Sequence, residues 1–464
     1  MAKVKTLYVC GDCGHETSGW LGRCPSCGAW NSFRAEEETK PVNAGTRTGS
    51  WLMAGEGTEL VDLSGVSARP EEKEKTGIPE LDRVLGGGLV KGSLLLLGGD
   101  PGIGKSTLAL SILGHNHKGE ILYVSGEESP AQISMRAARL GFQDRGIPLL
   151  ASTRLSSIEK VLTEGRPRIA VIDSIQTVYS DEIGSAPGSV AQVREAGMAF
   201  LRLAKALDIT IILTGHVTKE GSIAGPRVLE HMVDTVLYFE GEKDSPLRIL
   251  RSVKNRFAAT DEIGIFEMTG RGLISVEEAT GLFLDGKPEN VPGSAVSAVL
   301  EGSRPLLVEI QALTVKSNYG SPIRMSQGLD RSRLIMLMAA AEKKTGIDLS
   351  AMDAYVNVTG GMKIKETSVD LAVLAALLSS VRDEPAAADA VIVGEVGLTG
   401  EIRSVARMSE SLEEAFRAGW TRFIVPASAQ AKLRRFEKNK DVKVYYVSEL
   451  NEAFDLIFSK EERP

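Results

Sequence analysis

The stretch Gly99-Asp100-Pro101-Gly102-Ile103-Gly104-Lys105-Ser106 decides how the centre of this chain is read. It fills the pattern G-x-x-x-x-G-K-[ST] at every position. The apolar run Ser93–Leu97 precedes it, and a helical pattern runs from Ser106 through Thr107 to Leu113. A strand, a glycine-rich turn and a helix in that order make a cradle for phosphate. Glycines let successive backbone N–H groups converge on the anion, and the helix N-terminus adds a favourable dipole. The expected ligand is ATP, with Lys105 on the β- and γ-phosphates and the Ser106 hydroxyl on Mg²⁺.

Two further groups belong with that loop. The apolar run Arg168–Ile172 ends in Asp173, the expected partner of the Mg²⁺ hydration shell. A strand-ending aspartate is also an ordinary turn former. Hydrolysis needs a residue that orients the attacking water, and Glu127 and Glu128 directly follow the run EILYVSG. Glu127 is favoured over Glu128. The alternative is an acidic pair stabilised at the start of the helix that opens after Ser129-Pro130.

Short β-rich runs recur around the loop: SLLLLGG, EILYVSG, RIAVIDS, ITIILTG, TVLYFEG and LRILRSVKN. Near-continuous apolar strands alternating with helical patterns imply a parallel sheet covered on both faces, an α/β fold, over residues 59–280. A second α/β region spans 281–464. Its markers are LLVEIQAL, LDRSRLIMLMAAAEKKTG, AYVNVTGG, SVDLAVLAALLSS, AVIVGEVGL and RFIVPAS. Gly281–Gly293, rich in turn formers, reads as the hinge between them. Residues 35–58 are polar, glycine-rich and aperiodic, and read as a linker after a small module at 1–34.

All four cysteines lie in that module. Cys10, Cys13, Cys24 and Cys27 form C-x₂-C-x₁₀-C-x₂-C, two thiolate pairs that complete a tetrahedral Zn²⁺ site. An iron cluster or two disulfides are the alternatives. Trp20, Trp30 and Phe33 are read as its small core rather than as an exposed aromatic face, and His15 is not needed as a ligand. The whole chain has 464 residues, a net charge of −7, 43% hydrophobic and 25% charged residues. This composition describes a globular protein without a uniformly basic coat, and leaves room for a local basic groove. No signal peptide and no apolar run of ~20 residues is present, so a cytoplasmic location without membrane partners is expected.

The run Thr76-Gly77-Ile78-Pro79-Glu80-Leu81-Asp82, then Gly86-Gly87-Gly88-Leu89, the phosphate loop and SGEES resemble RecA-like ATPases, including the circadian clock ATPases. With the N-terminal cysteines and the second α/β region, the order of elements resembles the bacterial RadA (Sms) family of DNA-repair ATPases over nearly the entire chain. Lys254-Asn255-Arg256-Phe257 resembles that family's KNRFG signature, with Ala258 in place of the glycine. The resemblance implies that Lys254 and Arg256 act across a subunit boundary on a neighbour's γ-phosphate; an exposed basic strand end is the other reading. Thr214-Gly215-His216 resembles the family's γ-phosphate sensor position, although a lone histidine is often only structural. Residues 179–189 and 217–227 stand where DNA-channel loops stand in RecA-like rings, so Arg194, Lys219 and Arg227 are candidate DNA contacts.

The second region resembles the proteolytic domain of Lon proteases. Lys365-Glu366-Thr367-Ser368-Val369-Asp370 resembles the segment bearing the nucleophile, at Ser368. Gly397–Arg403 resembles the segment bearing the catalytic lysine, with Arg403 near its place. Arginine stays protonated and cannot serve as a base, so an inactive protease fold is expected, with Ser368 as a helix N-cap. Arg324, Arg331 and Arg333 form a basic cluster suited to phosphate contact or simply to a solvated helix face. Together these features imply a DNA-stimulated ATPase that remodels single-stranded or branched recombination intermediates. It would work as a homo-oligomer, a hexameric ring, beside a recombinase filament. The rivals are an ATP-dependent protease of Lon type and a clock-like signalling ATPase.

Overall fold

A computed structural model describes residues 5–10, 16–17, 19–25, 28–38, 72–116, 120–216, 227–241, 246–276, 283–284, 286–318, 321–439 and 441–459. The chain divides into two compact units, Met1–Glu277 and Glu278–Pro464.

In the first unit, β1 (Lys5–Cys10), β2 (Glu16–Thr17) and β3 (Phe33–Glu38) form a small antiparallel sheet in the order β2-β1-β3. The β1–β3 ladder runs from Cys10 opposite Phe33 out to Lys5 opposite Glu38. Ordered pairing thus continues beyond residue 34 into the polar stretch read as linker, because a backbone ladder needs no apolar side chains to form. A short hairpin follows, β4 (Lys73–Glu74) against β5 (Leu89–Val90).

The main sheet uses β6 (Leu94–Gly99), β7 (Ile121–Ser125), β8 (Leu149–Ala151), β9 (Ile169–Asp173), β10 (Thr210–His216), β11 (Thr235–Glu240), β12 (Leu247–Asn255), β13 (Ile263–Thr269) and β14 (Gly272–Ser275). Their order is β14-β13-β12-β11-β6-β10-β9-β7-β8. The strands from β11 to β8 in that order are parallel. All six runs read as strands are strands, but β12 is antiparallel to β11. Only residues 241–246 join them, and a parallel crossover needs a dozen or more residues. Three strands, β8, β13 and β14, lie outside the six runs read as strands.

Period-two alternation divides each central strand between two cores. Leu95, Leu97, Ile169 and Val171 face one; Leu94, Leu96, Ala170 and Ile172 face the other. Helices α1 (Pro79–Val84), α2 (Lys105–His115) and α3 (Pro130–Arg139) pack on the first face through Leu81, Leu108, Ile112 and Ile133. Helices α4 (Leu155–Gly165) and α5 (Val190–Leu207) pack on the second through Ile158, Leu162, Val193 and Phe200.

In the second unit a seven-stranded sheet runs in the order Arg324–Gln327, Met352–Val358, Arg304–Lys316, Ser294–Glu301, Ala390–Ile392, Arg422–Pro426 and Lys443–Val447. The helix Asp370–Arg382 is buried on nearly every side from Asp370 to Ser379. No helix among the described residues is long and apolar enough to cross a membrane.

Candidate nucleotide site

Because β6, β7, β9 and β10 are parallel, their C-terminal ends meet at one edge of the sheet. Gly99 lies opposite His216, and Ser125 opposite Asp173. The phosphate-loop residues, Asp173, His216 and the Glu127–Glu128 pair therefore converge. Within the loop, Gly99 has φ 151° and Gly104, which caps α2, has φ 119°. A Cβ on Gly99 would lie 2.9 Å from the Phe239 carbonyl oxygen, and one on Gly104 2.8 Å from Met268 Cε. At Gly99 both the conformation and the backbone approach exclude a side chain, and at Gly104 the left-handed conformation disfavours one. Ser106 is half-buried at the start of α2, with Thr107 buried beside it.

Lys105 is buried. Its Nζ donates to the carbonyls of Gly99 (2.8 Å) and Asp100 (2.9 Å) and lies 3.1 Å from His216 Nδ1. Burial pushes the ammonium down to about 8, against the opposing pull of Asp173, Glu127 and Asp100. An ammonium only donates, so Nδ1 accepts and the ring proton sits on Nε2. Nε2 faces Glu127 Oε2 at 3.4 Å. That hydrogen bond from His216, together with one from Ser174 Oγ, holds Glu127 below the usual carboxylate range despite its partial burial.

Asp173 is buried, with Oδ2 accepting from the Tyr123 hydroxyl and Oδ1 from Thr214 Oγ1, each at 2.5 Å. Burial and the neighbouring carboxylate push the Tyr123 phenol well up, so it remains a donor. Each carboxylate oxygen retains acceptor capacity, which fits a hydrated Mg²⁺ shared with Ser106. Glu128 is engaged elsewhere: Arg136 of α3 grips both its oxygens at 2.6 Å. Ser129 caps α3 in a reciprocal capping box with Gln132.

Sequence reasoning missed three residues here and named a fourth, Thr214, only within the sensor motif. Tyr123 and Thr214 lie inside strands, where nothing distinguishes a side chain aimed at Asp173. Gln176 grips the backbone of His216 through both halves of its amide. Gln192 of α5, 2% exposed, organises the segment after Asp173. Its amide donates to the carbonyls of Ser180, Ile183 and Ser185 and accepts from the Ser180 N–H.

Lys254 and Arg256 lie at the opposite edge. Asn255 is opposite Thr235, the first residue of β11. Lys254 Nζ donates to the carbonyls of Glu230 (2.7 Å) and His231 (3.2 Å), at the end of the short helix α6 (Arg227–Glu230). Arg256 remains 57% exposed, with a 3.4 Å contact to Asp234. Asp234 itself is 2% exposed and accepts from the Leu94 N–H, at the start of β6. The six residues of β6 separate that point from Gly99 by about 17 Å. Ala258 has no positive φ, so its backbone does not require glycine. Its methyl lies against Gly86, where an added Cβ would come within 2.3 Å of it.

Of the candidate DNA contacts, Arg194 is exposed on α5. Lys219 lies outside the described residues, and Arg227 is described only as the first residue of α6. The three C-terminal arginines do not form one cluster of free cations. Arg324 donates to the carbonyls of Ile323, Leu349, Ser350 and Met352. Arg333 forms a bidentate ion pair with buried Asp370 and donates to the Val396 carbonyl. Arg331 is exposed at the start of its helix.

Ser368 is not an N-cap. It lies in a 3₁₀ turn, Thr367–Val369, and Val369 stands at the cap of the following helix with no side-chain cap bond. The extra turn displaces the hydroxyl from the helix end. Arg403 is exposed and paired with Glu401. In the N-terminal module, Cys10, Cys24 and Phe33 are buried together with Tyr8 packed against them. Cys13, Cys27 and His15 lie outside the described residues. Two buried thiols in one cluster fit half of a four-sulfur zinc site. The core reading holds for Phe33 but not for Trp20 and Trp30, which are 54% and 72% exposed. So small a module cannot enclose both indoles; Arg23 stacks over Trp30 at 5.8 Å from the ring centroid.

Comparison with known proteins agrees with this anatomy. Residues 62–222 match the AAA domain family, residues 8–35 the rubredoxin metal binding domain, and residues 333–429 subunit ChlI of Mg-chelatase. A KaiC-like protein from Pyrococcus horikoshii is 20% identical, covering 45% of this chain and 100% of that one with a TM-score of 0.37. The DNA repair protein RadA of Bacillus subtilis is 46% identical, covering 98% of each chain. That of Pseudomonas aeruginosa is 47% identical over 99% of this chain and 100% of its own. The chain is thus an α/β protein with a RecA-like ATPase core, an N-terminal zinc ribbon and a C-terminal Lon-like region. It belongs to the DNA repair protein RadA family.

Proposed function

We propose that this chain is a DNA-stimulated ATP motor that remodels single-stranded or branched recombination intermediates, through branch migration or unwinding. The observation that carries the reading is the shared sheet edge. Residues 174–178 and then 179–189 follow β9 from the edge where Lys105, Asp173, Glu127 and His216 converge. A load on those segments is mechanically adjacent to the γ-phosphate. In this reading ATP is the substrate, and Ser106 and Asp173 would hold a hydrated Mg²⁺, which would offset phosphate charge. Lys105 neutralises phosphate charge. Glu127, kept ionised, orients water, whereas Glu128 is neutralised by Arg136.

The opposite-edge position of Lys254 and Arg256 supports hydrolysis between copies, as in a hexameric ring. Each would reach a neighbour's nucleotide, since its own loop is a strand length away. Among the DNA-contact candidates Arg194 and Arg331 remain exposed, while Arg324 and Arg333 serve the fold. Zinc on the four cysteines would order the N-terminal module, and metal analysis of reduced protein should find one zinc per chain; iron would overturn that. A recombinase filament is the proposed partner in recombinational repair. The test is ATP turnover with and without single-stranded DNA. Stimulation supports the motor; equal turnover at saturating DNA refutes it.

A further inference from the structure

We infer that Gln176 is a positioning residue for ATP hydrolysis, aiming the His216 ring between Lys105 and Glu127. The inference deepens the proposed function and rests on reading Lys105 and Glu127 as hydrolytic residues.

The ladder between β9 and β10 ends at Ile172 opposite Leu213, while β10 continues three residues further to His216. Beyond Asp173 the chain turns into a 3₁₀ turn, Ile175–Thr177, and leaves the ladder. The Gln176 side chain replaces the missing rung. Its Nε2 donates to the His216 carbonyl at 3.0 Å, and its Oε1 accepts the His216 N–H at 3.1 Å. A planar amide thus stands in for a peptide and binds His216 from the β9 side, while Gly99 lies opposite on the β6 side. With that backbone held, only the two side-chain torsions of His216 remain free. They place Nδ1 3.1 Å from Lys105 Nζ and Nε2 3.4 Å from Glu127 Oε2. Thr177 Oγ1 ties the same turn to the Ser174 carbonyl, and Ser174 Oγ donates to Glu127. One turn therefore sets both the histidine and the carboxylate it faces. It also follows β9 while its glutamine holds the end of β10, so displacement of either strand end is transmitted to the ring.

The experiment measures kcat and KM for ATP in Gln176→Met, Gln176→Glu, His216→Ala and the Gln176→Met/His216→Ala double variant. Gln176→Met keeps the side-chain length and removes both hydrogen bonds. It should lower kcat about tenfold to a hundredfold, as misaimed groups do, with KM within about twofold. The double variant should be no slower than His216→Ala alone, because Gln176 acts only through that ring. In Gln176→Glu the carboxylate accepts the N–H but has no proton for the carbonyl. Its turnover relative to the parent should therefore rise as pH falls and the acid protonates. Multiplying losses in the double variant, or a raised KM with unchanged kcat, would overturn the inference. If Gln176→Met loses nucleotide binding, the Gln176→Glu profile decides, and a flat ratio rejects the clasp. Parental turnover in Lys105→Ala and Glu127→Gln would mean the reading of the site fails. Loss in those two with none in Gln176→Met would mean the clasp alone fails.

Discussion

The two units each bring a cation and a buried carboxylate to the start of a helix, with opposite outcomes. In the first, Lys105 is held by two carbonyls and a histidine, depressed to about 8, and the Asp173 carboxylate accepts from two hydroxyls. Glu127 beside them stays ionised and half-exposed. In the second, Asp370 is clasped bidentately by Arg333 and also accepts the Val396 N–H. Burial pushes Asp370 up while Arg333 pulls it back, and the carboxylate in turn raises the guanidinium. The first arrangement leaves charge to be completed by a ligand; the second completes it within the fold. A matched ion pair organises structure, whereas a lysine resting on carbonyls can exchange them for phosphate oxygens at little cost.

The largest test of this contrast is Lys105→Ala, which should reduce ATP hydrolysis to background, by more than about 10³, because phosphate charge loses its counter-ion. Parental turnover would remove the basis of the comparison. Next, Arg256→Ala should lower turnover about 10³-fold with nearly normal ATP binding, the expected loss for a cation acting in trans. Mixing Arg256→Ala with Lys105→Ala chains should restore part of the activity, since an intact loop then meets an intact arginine. No recovery in demonstrably mixed assemblies would return Arg256 to a local role on Asp234.

Breaking the closed pair should act on stability instead. Arg333→Ala leaves a buried carboxylate unpaired and should cost about 3 kcal/mol, read by denaturant unfolding of the second unit. The folded-state pKa of Asp370 lies above its unfolded value, so stability falls as pH rises through that interval. The deficit of the variant should therefore shrink toward acid pH; a deficit independent of pH would argue against the unpaired charge. Back in the first unit, Glu127→Gln should lose about 10² in kcat, and Glu128→Gln only a few-fold. Equal losses would erase the distinction that Arg136 makes. Ser368→Ala should change neither turnover nor stability by more than about 1 kcal/mol, and casein should survive incubation with ATP. ATP-dependent cleavage lost in that variant would make the second unit a protease after all.

Several of these residues were legible from their neighbours in the chain. The phosphate loop is contiguous and its glycines and lysine have fixed spacing, so Lys105 and Ser106 stand out without a fold. Glu127 and Asp173 were legible as strand ends, and Lys254 and Arg256 through a contiguous family motif. The strands β6, β7, β9 and β10 announce themselves because burial on both faces demands near-continuous apolar runs. By contrast, β8 and β14 are short and only partly buried, so no such run marks them, and the buried run of β13 is only Ile263–Phe266 with a glycine inside it.

What the sequence by itself determined was therefore local: a loop conformation set by glycine, strands set by burial, and a cysteine spacing suited to one metal. Tertiary structure decided everything that depends on which residues distant in the chain become neighbours. It supplied the physical ground for preferring Glu127 to Glu128, through Arg136, and joined Gln176 to His216 across 40 residues. It turned Arg333 from a candidate DNA contact into the partner of Asp370, and exposed the two tryptophans that composition assigns to a core. The physical reason is that a charge or an amide is satisfied by whatever lies within about 3 Å, and sequence spacing does not encode that distance.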